Sequence, residues 1–158
     1  MNRVLLERQV RELFQQQLLG VLATNNGSAV AEPYVSLIAF VASKDLKRLI
    51  FFTSRNTRKF TNIVTNSQVS MLVDNRTNQA GDFQTALAVT VIGRAFEQHG
   101  AERINLQKLF LARHPALESF VLDSSSALIE ILVDRYILVN RFQKIHELVM
   151  HSRATLPA

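Results

Sequence analysis

The chain of 158 residues is 47% hydrophobic and 20% charged, which is typical of one folded domain and excludes a mainly disordered protein. It contains no cysteine, so disulfide bonds, thiolate zinc sites and a cysteine nucleophile are excluded as well. The histidines show no spacing typical of a metal site, and we expect no bound metal. No N-terminal signal and no apolar run long enough to cross a bilayer are visible, which indicates a cytoplasmic protein without a membrane partner.

The net charge of +5 is concentrated in one short segment. Residues 43–62 contain six lysine or arginine residues and one aspartate, which equals the whole net charge and leaves the rest of the chain neutral. This distribution favours a local site for an anion over the broad basic surface that nucleic-acid binding requires. We therefore expect no nucleic-acid partner.

The first part of the sequence predicts a helix followed by an antiparallel hairpin. Residues 4–19 have apolar positions at helical spacing, with arginine and glutamate on the opposite face. Residues 21–25 are predicted to form a short strand, and the Asn-Gly pair at 26–27 is typical of a two-residue type I′ turn. The returning strand spans about residues 28–42, with a bulge or an edge position at Pro33, which cannot donate to a ladder.

The next part predicts a strand that leads directly into a helix. Residues 48–53 form an apolar strand after a turn, and a helix begins after Asn56 or Thr57, either of which is a suitable N-cap. The apolar face of this helix consists of Phe60, Ile63 and Val64.

Residues 69–73 are almost entirely apolar, which indicates a strand in the centre of a sheet. A polar loop over residues 74–84 leads into a long strand over residues 85–96, in which Gly93 is expected to mark a bulge. Two helices are predicted next, at residues 101–113 and 116–122.

Two closing strands are predicted at residues 127–133 and 136–141, joined by a turn at Asp134 and Arg135, and after Lys144 we predict only a short helix or a tail. Because strands outnumber helices and most are joined by turns, the chain is expected to be mainly β, an antiparallel and nearly closed barrel with flanking helices. The predicted single domain, residues 1–158, consists of an N-terminal helix at 1–19, a barrel at 20–142 with a helical insertion at about 100–122, and a tail at 143–158.

The most informative stretch is residues 51–62, where an apolar strand passes through a polar turn into a helix. Arg58 and Lys59 fall in the first helical turn, where free backbone N–H groups and the helix dipole already create a positive end. Cations are unfavourable there unless an anion binds. Three hydroxyl side chains lie beside them, those of Thr53, Ser54 and Thr57. The segment therefore predicts a phosphate site.

The order of elements and this stretch resemble the FMN-binding split barrel of the pyridoxamine 5′-phosphate oxidase-like proteins over about residues 18–141. The segments that carry the resemblance are residues 20–24 with 33–40, residues 51–54 with Thr57, Arg58, Lys59 and Asn62, and residues 74–76 with 88–95. The resemblance implies an antiparallel Greek-key barrel that forms a homodimer, with FMN at the subunit interface.

The resemblance also implies which residues contact the flavin. The phosphate would be held by Thr57, Arg58 and Lys59, with phosphate and ribityl contacts from Thr53 and Ser54. The strand that passes along the flavin ring, mainly through its backbone, would contribute Tyr34, Val35, Ser36, Leu37 and Ile38. The remaining contacts would come from Phe52, Asn75 and Arg76.

The function that the resemblance implies is an FMN-dependent oxidoreductase with a small-molecule substrate or electron donor, for which no catalytic residue is identifiable. The chain has Ala88 where family barrels often have glutamine, and it has neither tryptophan nor the closing segment that grips the vitamer, so vitamin B6 synthesis is not indicated. The barrel also occurs in deazaflavin-dependent reductases and haem-utilisation proteins. A deazaflavin enzyme, or a non-catalytic flavin or haem carrier or sensor with His146 or His151 as haem ligand, is therefore the alternative.

Overall fold

The computed structural model of the protein describes residues 1–141 and 144–151. In these residues eight strands form one curled antiparallel sheet with flanking helices. The strands are β1 (Leu19–Thr24), β2 (Tyr34–Ala39), β3 (Val41–Ala42), β4 (Arg48–Ser54), β5 (Gln68–Asp74), β6 (Leu87–Glu97), β7 (Ser126–Asn140) and β8 (Lys144–Val149). The helices are α1 (Arg3–Gln16), α2 (Arg58–Thr65), α3 (Asp82–Thr85), α4 (Gly100–Arg113) and α5 (Glu118–Leu122), with a 3-10 turn at Pro115–Leu117 before α5. Within the described ranges no helix is long and apolar enough to cross a membrane.

One bent segment of the chain connects the two edge strands of the sheet. The strand order is β2-β1-β5-β6-β7-β4-β3, and β8 pairs with β7. β2 and β3 are separated only by Phe40, yet they lie at opposite ends of that order, because β2 pairs with β1 and β3 pairs with β4. The bend at Phe40 therefore joins the two edges of the sheet. This architecture confirms the prediction of a mainly β split barrel with flanking helices.

Helix α1 covers one end of the barrel with a single apolar face. Its buried residues recur at helical spacing, and they are Leu6, Val10, Leu13 and Phe14. The ring of Phe14 packs edge-on against Phe40 and Tyr136, with centroid distances of 5.3 and 5.8 Å. The helix ends at Gln16 rather than at residue 19, because the chain must extend for Leu19 to pair with Ala39.

Strand β4 is buried on both faces, which explains its unbroken apolar sequence. Leu49 and Phe51 belong to the core inside the barrel. Ile50 and Phe52 face the other way and pack with residues of α4 and α5 in a second apolar cluster. The helical insertion between β6 and β7 is thus held against the outside of β4.

Helix α2 begins where predicted but buries a different face. Ile63 is buried as expected, and Asn62 is buried beside it, where its Nδ2 donates to Thr24 Oγ1 at 3.1 Å. The prediction that Val64 belongs to the apolar face is wrong, since it is 69% exposed. The Asn62–Thr24 hydrogen bond fixes the rotation of the helix, and that rotation directs Val64 to solvent.

The predicted two-residue turn at 26–27 is wrong. A longer loop, residues 25–33, connects β1 and β2, and the returning strand begins at Tyr34. The side chains of Asn25 and Asn26 each accept the backbone N–H two residues further on, at 2.8 and 3.1 Å. These Asx turns satisfy the local backbone and replace the type I′ geometry.

The predicted turn at Asp134 and Arg135 is also wrong, because β7 continues through it. Val133 pairs with Gly93 and Arg135 pairs with Ile92, so Asp134 is the extra residue of a β-bulge. The carbonyl of Asp134 accepts two N–H groups from the residues that follow β8, at 2.7 and 3.0 Å. The bulge predicted at Gly93 is confirmed, and its unpaired residue lies on the opposite strand.

Two further elements were not predicted. Strand β8 occupies residues 144–149, where a short helix or tail was predicted, and it pairs antiparallel with residues 135–140. The helix α3 interrupts the predicted polar loop at 74–84, and its Asp82 carboxylate accepts backbone N–H groups of that loop. The rest of the predicted tail, residues 143 and 152–158, lies outside the described residues, as does residue 142.

Replacing Tyr136 with phenylalanine is expected to lower the free energy of unfolding by about 1–3 kcal/mol. Tyr136 is fully buried, and its hydroxyl donates to the carbonyl of Leu46 at 2.6 Å. Burial raises the pKa of Tyr136, so the phenol remains a proton donor. Urea unfolding of the variant measures the loss. The control is Tyr34→Phe, since Tyr34 contacts Arg58 through its ring, and an equal loss in both variants would contradict the expectation.

Candidate cofactor site

The end of β4 and the start of α2 bring hydroxyl groups together. Thr57 is the N-cap of α2, and its Oγ1 accepts the backbone N–H of Phe60 at 3.3 Å. The same hydroxyl lies 2.9 Å from Thr53 Oγ1 and donates to the carbonyl of Ser54 at 2.9 Å. Because Ser54 is paired with Ser126 in the sheet, the turn is anchored to a rigid strand. The helix start predicted at Asn56 or Thr57 is confirmed, with Thr57 as the cap.

A cavity of about 380 Å³ opens beside this turn, which is within the range of about 300–1,000 Å³ typical of small-molecule sites. It is bounded by β2, by the end of β4, by the first turn of α2 and by the helical insertion. Among the residues that the sequence predicted for the site, those that line it are Leu37, Ile38, Phe52, Thr53, Ser54, Thr57 and Lys59. The structure thus brings strand β2 and the turn between β4 and α2, where a phosphate site was predicted, together around one cavity.

Lys59 is the cation of this cavity. Its side chain is half-buried, and no hydrogen bond or ion pair joins it to any other described residue. Burial lowers the pKa of Lys59 below the ordinary value of 10.5. A partly desolvated ammonium group without an anion, at the positive end of a helix, is the arrangement that an anionic ligand would stabilise.

Arg58 does not line the cavity. Its guanidinium pairs with Glu32 of the β1–β2 loop at 3.1 Å, and it lies over the ring of Tyr34, 4.7 Å from the centroid. Arg58 and Lys59 are neighbours in sequence but point to different partners, because successive residues of a helix lie on different faces. The first helical turn therefore presents one free cation to the cavity, not two.

The β2 residues divide into two groups. Leu37 and Ile38 line the cavity, whereas Tyr34, Val35 and Ser36 do not. Val35 and Leu37 project from the outer face of the sheet and are 62% and 64% exposed. The β2 residues nearest the cavity are therefore those at the C-terminal half of the strand.

Asn75 and Arg76 lie at the other end of the sheet. Asn75 Oδ1 accepts the N–H of Leu87 at 2.7 Å, at the start of β6, and Arg76 pairs with Asp74 at 3.2 Å. Leu87 pairs with Asn140, the last residue of β7, whereas Ser54 beside the cavity pairs with Ser126, the first residue of β7. Within one chain, these two predicted contacts are therefore remote from the cavity.

The sequence analysis did not identify the residues that form the cavity wall opposite β2. Phe110 of α4, Leu117 of the 3-10 turn and Phe120 of α5 line this side of the cavity. Their apolar positions predicted helices in an insertion, but no sequence signal connected that insertion with the turn between β4 and α2. The contact exists because the insertion packs on Phe52 of β4, whose ring centroid lies 5.0 Å from that of Phe110.

Among the described residues, none of those that line the cavity is a histidine. His114 is buried and its Nε2 lies 2.7 Å from the carbonyl of Phe40. His146 belongs to β8, and His151 Nδ1 lies 2.8 Å from the carbonyl of Val133. Both are near the half of β7 that pairs with β8, away from Ser54. In the described part of the chain, no group of three or more acidic or histidine side chains is arranged to hold a metal ion.

Several solved structures share this fold. A haem-binding protein from Mycobacterium smegmatis matches with a TM-score of 0.78 and 15% identity, over 90% of this chain and 57% of its own length. General Stress Protein 26 from Bacillus anthracis matches with a TM-score of 0.69 and 20% identity, over 92% and 98% of the two chains. An FAD-binding protein from Mesorhizobium loti matches with a TM-score of 0.64 and 17% identity, over 83% and 90%. The chain thus spans little more than half of the mycobacterial protein, and these identities establish the fold alone.

No curated protein matches the sequence. A sequence profile does: the family described as Pyridoxamine 5′-phosphate oxidase matches residues 6–139. This range includes β1 to β6, the helical insertion and nearly all of β7, so the match covers the cavity as well as the barrel. The chain therefore belongs to the pyridoxamine 5′-phosphate oxidase family.

Proposed function

We propose that the protein binds FMN in the cavity at the start of α2 and acts as a flavin-dependent oxidoreductase. The observation that carries this proposal is Lys59, an unpaired and partly desolvated cation beside the hydroxyl groups of Thr53 and Thr57. Hydroxyl groups, an ammonium group and the N-terminus of a helix together match the acceptor oxygens and the negative charge of a phosphate. The cavity residues therefore fit the phosphate end of the cofactor.

The rest of the cavity suits the non-charged part of a flavin. Its walls are apolar and aromatic, with Leu37 on one side and Phe110, Leu117 and Phe120 on the other. Such walls exclude water and favour a flat aromatic ring. The flavin would supply the electron-transfer chemistry, and the protein would hold and orient it. The substrate class is a small molecule or an electron donor.

A homodimer is part of the proposal. Leu37, Val21 and Leu72 are in register on the outer face of three neighbouring strands, and Leu37 and Leu72 are exposed. An exposed apolar stripe of this kind is typical of a protein interface. Asn75 and Arg76 are remote from the cavity of their own chain, so they could contact the cofactor only across such an interface.

We also propose a cytoplasmic location, with which a chain without cysteine is compatible.

Haem is the second candidate, since a fold relative is described as a haem-binding protein. The described residues that line the cavity favour flavin, because they include a lysine and two threonines and no histidine. A deazaflavin with a phosphate group would meet the same residues, so the two flavin classes must be distinguished by experiment.

The absorbance spectrum of the purified protein tests the function, together with mass spectrometry of the released ligand and the sedimentation mass. We expect flavin bands, the mass of FMN and a dimer. A Soret band would replace the proposal by haem binding, and a deazaflavin mass would replace the cofactor. A colourless protein that fails to take up added FMN would overturn the proposed function.

The affinity for FMN is expected to fall as the pH rises towards 10.5, the ordinary value for lysine. Burial lowers the pKa of Lys59 in the free protein, so the folded chain loses this proton before the unfolded chain does. Phosphate binding requires the protonated form, and the affinity is therefore lost through the same alkaline window. Fluorescence titration of FMN at a series of pH values measures this, with Lys59→Met as the control. An equal dependence of FMN affinity on pH in both proteins would contradict the assignment of the phosphate to Lys59.

A further inference from the structure

His114 is a buried polar residue where the helical insertion meets the barrel. It is 7% exposed and lies between α4 and the 3-10 turn at Pro115–Leu117. Its Nε2 lies 2.7 Å from the carbonyl oxygen of Phe40. A carbonyl group can only accept a hydrogen bond, so Nε2 carries the proton and donates it. His114 therefore joins the insertion to the bend that connects β2 with β3.

This hydrogen bond lies beside one wall of the cavity at α2. Phe40 directly follows β2, and the last two residues of that strand, Ile38 and Ala39, line the cavity. The amide of Phe40 donates to the carbonyl of Leu18 at 3.3 Å, which continues the pairing of β2 with β1. A donor that holds the Phe40 carbonyl therefore fixes the backbone at the end of the β2 wall.

His114 also contacts the opposite wall, at two points. Its ring packs against the ring of Phe110, with centroids 4.8 Å apart. Its backbone carbonyl accepts the N–H of Leu117 at 3.1 Å. Phe110 and Leu117 both line the cavity, whereas His114 does not. One residue thus holds both sides of the cavity from behind.

The hydrogen bond is what distinguishes histidine at this position from an apolar residue. A phenyl ring of similar size would fill the same space but would leave the buried Phe40 carbonyl without this donor, which is unfavourable. The end of β2 and the insertion would then lose the link between them. Because close-packed groups transmit a displacement to their neighbours, this loss is expected to alter the separation of the two walls.

We infer that His114 is a positioning residue for the ring of the bound flavin, because it sets the separation of the two walls that enclose that ring. The inference rests on the proposed function. The role of His114 differs from that of Lys59, which acts on the phosphate, since the side chains that His114 holds, those of Phe110 and Leu117, are apolar. The ring and the phosphate of FMN are thus bound by separable parts of the chain.

The test compares FMN with riboflavin, which keeps the ring and lacks the phosphate. In His114→Phe, both ligands are expected to bind about 3- to 30-fold more weakly, the range for a residue that acts through packed neighbours. The preference for FMN over riboflavin should not change, whereas Lys59→Met should remove most of it. Fluorescence titration of the full-length protein gives the dissociation constants.

His114→Gln is the conservative variant, because its side-chain amide is a hydrogen-bond donor of similar reach. It is expected to bind both ligands within about threefold of the unaltered protein. This rescue separates the hydrogen bond to Phe40 from the mere presence of a large side chain.

Arg113→Met is the matched control. Arg113 precedes His114 and also joins the insertion to the barrel, but at the C-terminal end of α1. Its Nη2 donates to three carbonyl groups there at 2.7, 3.1 and 2.9 Å, those of Phe14, Gln15 and Gln17. Its loss loosens a contact of the insertion without breaking the link between the walls, so the affinity for riboflavin should be retained.

Amide hydrogen exchange in the protein without ligand is a measurement that does not depend on flavin. The amides of Leu117 and Phe40 lie on the two sides of His114 and donate to the carbonyls of His114 and Leu18. In His114→Phe both are expected to exchange faster relative to the amides of β6, because the local opening becomes easier. In Arg113→Met the relative exchange of Leu117 should not change.

Three results of the titrations would overturn the inference: an unchanged affinity for riboflavin in His114→Phe, a loss confined to FMN, or an equal loss in Arg113→Met. Equal losses in His114→Gln and His114→Phe would overturn it as well, since the hydrogen bond would not be the link. If the unaltered protein binds neither ligand, the proposed function fails and hydrogen exchange decides alone. Unchanged relative exchange of Leu117 and Phe40 in His114→Phe then contradicts the link, and faster exchange supports it.

Discussion

Replacing Lys59 with methionine is expected to weaken FMN binding by roughly 10- to 150-fold, the loss that follows from removing a hydrogen bond to a charged group. Methionine keeps most of the apolar stem and removes only the charge. Lys59 is the one cation that lines the cavity among the described residues, so no neighbouring cation is in place to substitute for it. Quenching of flavin fluorescence on titration measures the affinity, and the purified variant should be largely colourless.

Arg58→Met is the matched control for this experiment. Arg58 carries the same charge in the same helical turn, but it pairs with Glu32 and lies over Tyr34. Its loss is expected to weaken binding much less than the loss of Lys59. Lys59→Arg should retain part of the affinity, since the charge remains. If Arg58→Met has the larger effect, or if Lys59→Met retains FMN fully, the assignment of the phosphate to Lys59 is wrong.

Replacing Gly93 with alanine is expected to lower the free energy of unfolding by about 3 kcal/mol, at the upper end of the cost of overpacking. A Cβ at this position would lie 2.4 Å from the carbonyl oxygen of Leu132 and 3.0 Å from Cγ2 of Ile131. The nearest atom belongs to the backbone of β7, which is paired along both edges and cannot move aside. Denaturant unfolding of the apo protein measures the loss.

Gly81→Ala is the control for the glycine substitution. A Cβ there would meet no atom within 4 Å, and the residue has helical backbone angles. Its stability is expected to change by less than about 1 kcal/mol. Equal effects of the two substitutions would show that the close approach at the bulge is not what requires glycine at position 93.

The two glycines also show what the sequence could predict. Gly93 predicted a bulge, because a glycine inside a strand pattern is typical of one, and the irregularity lies there. The sequence could not predict that the unpaired residue is Asp134 on the partner strand. Asp134 and Arg135 resemble a turn when read locally, and only the pairing of β7 with both β6 and β8 keeps the strand continuous.

The sequence by itself determined the features that depend on neighbouring residues. These include the helical spacing of α1, the strand β4 with its turn into α2, the cap at Thr57 and the collection of hydroxyl groups and cations at that turn. Local periodicity and backbone capping produce them, so a short window contains the necessary information.

The tertiary structure decided which of these groups form a site. Glu32 and Tyr34 come from a distant loop and strand and engage Arg58, which leaves Lys59 to the cavity. The helical insertion supplies the opposite wall only because it packs on β4. Such contacts join residues far apart in the chain, and no local pattern specifies them, because they follow from the register of strands and the packing of buried side chains.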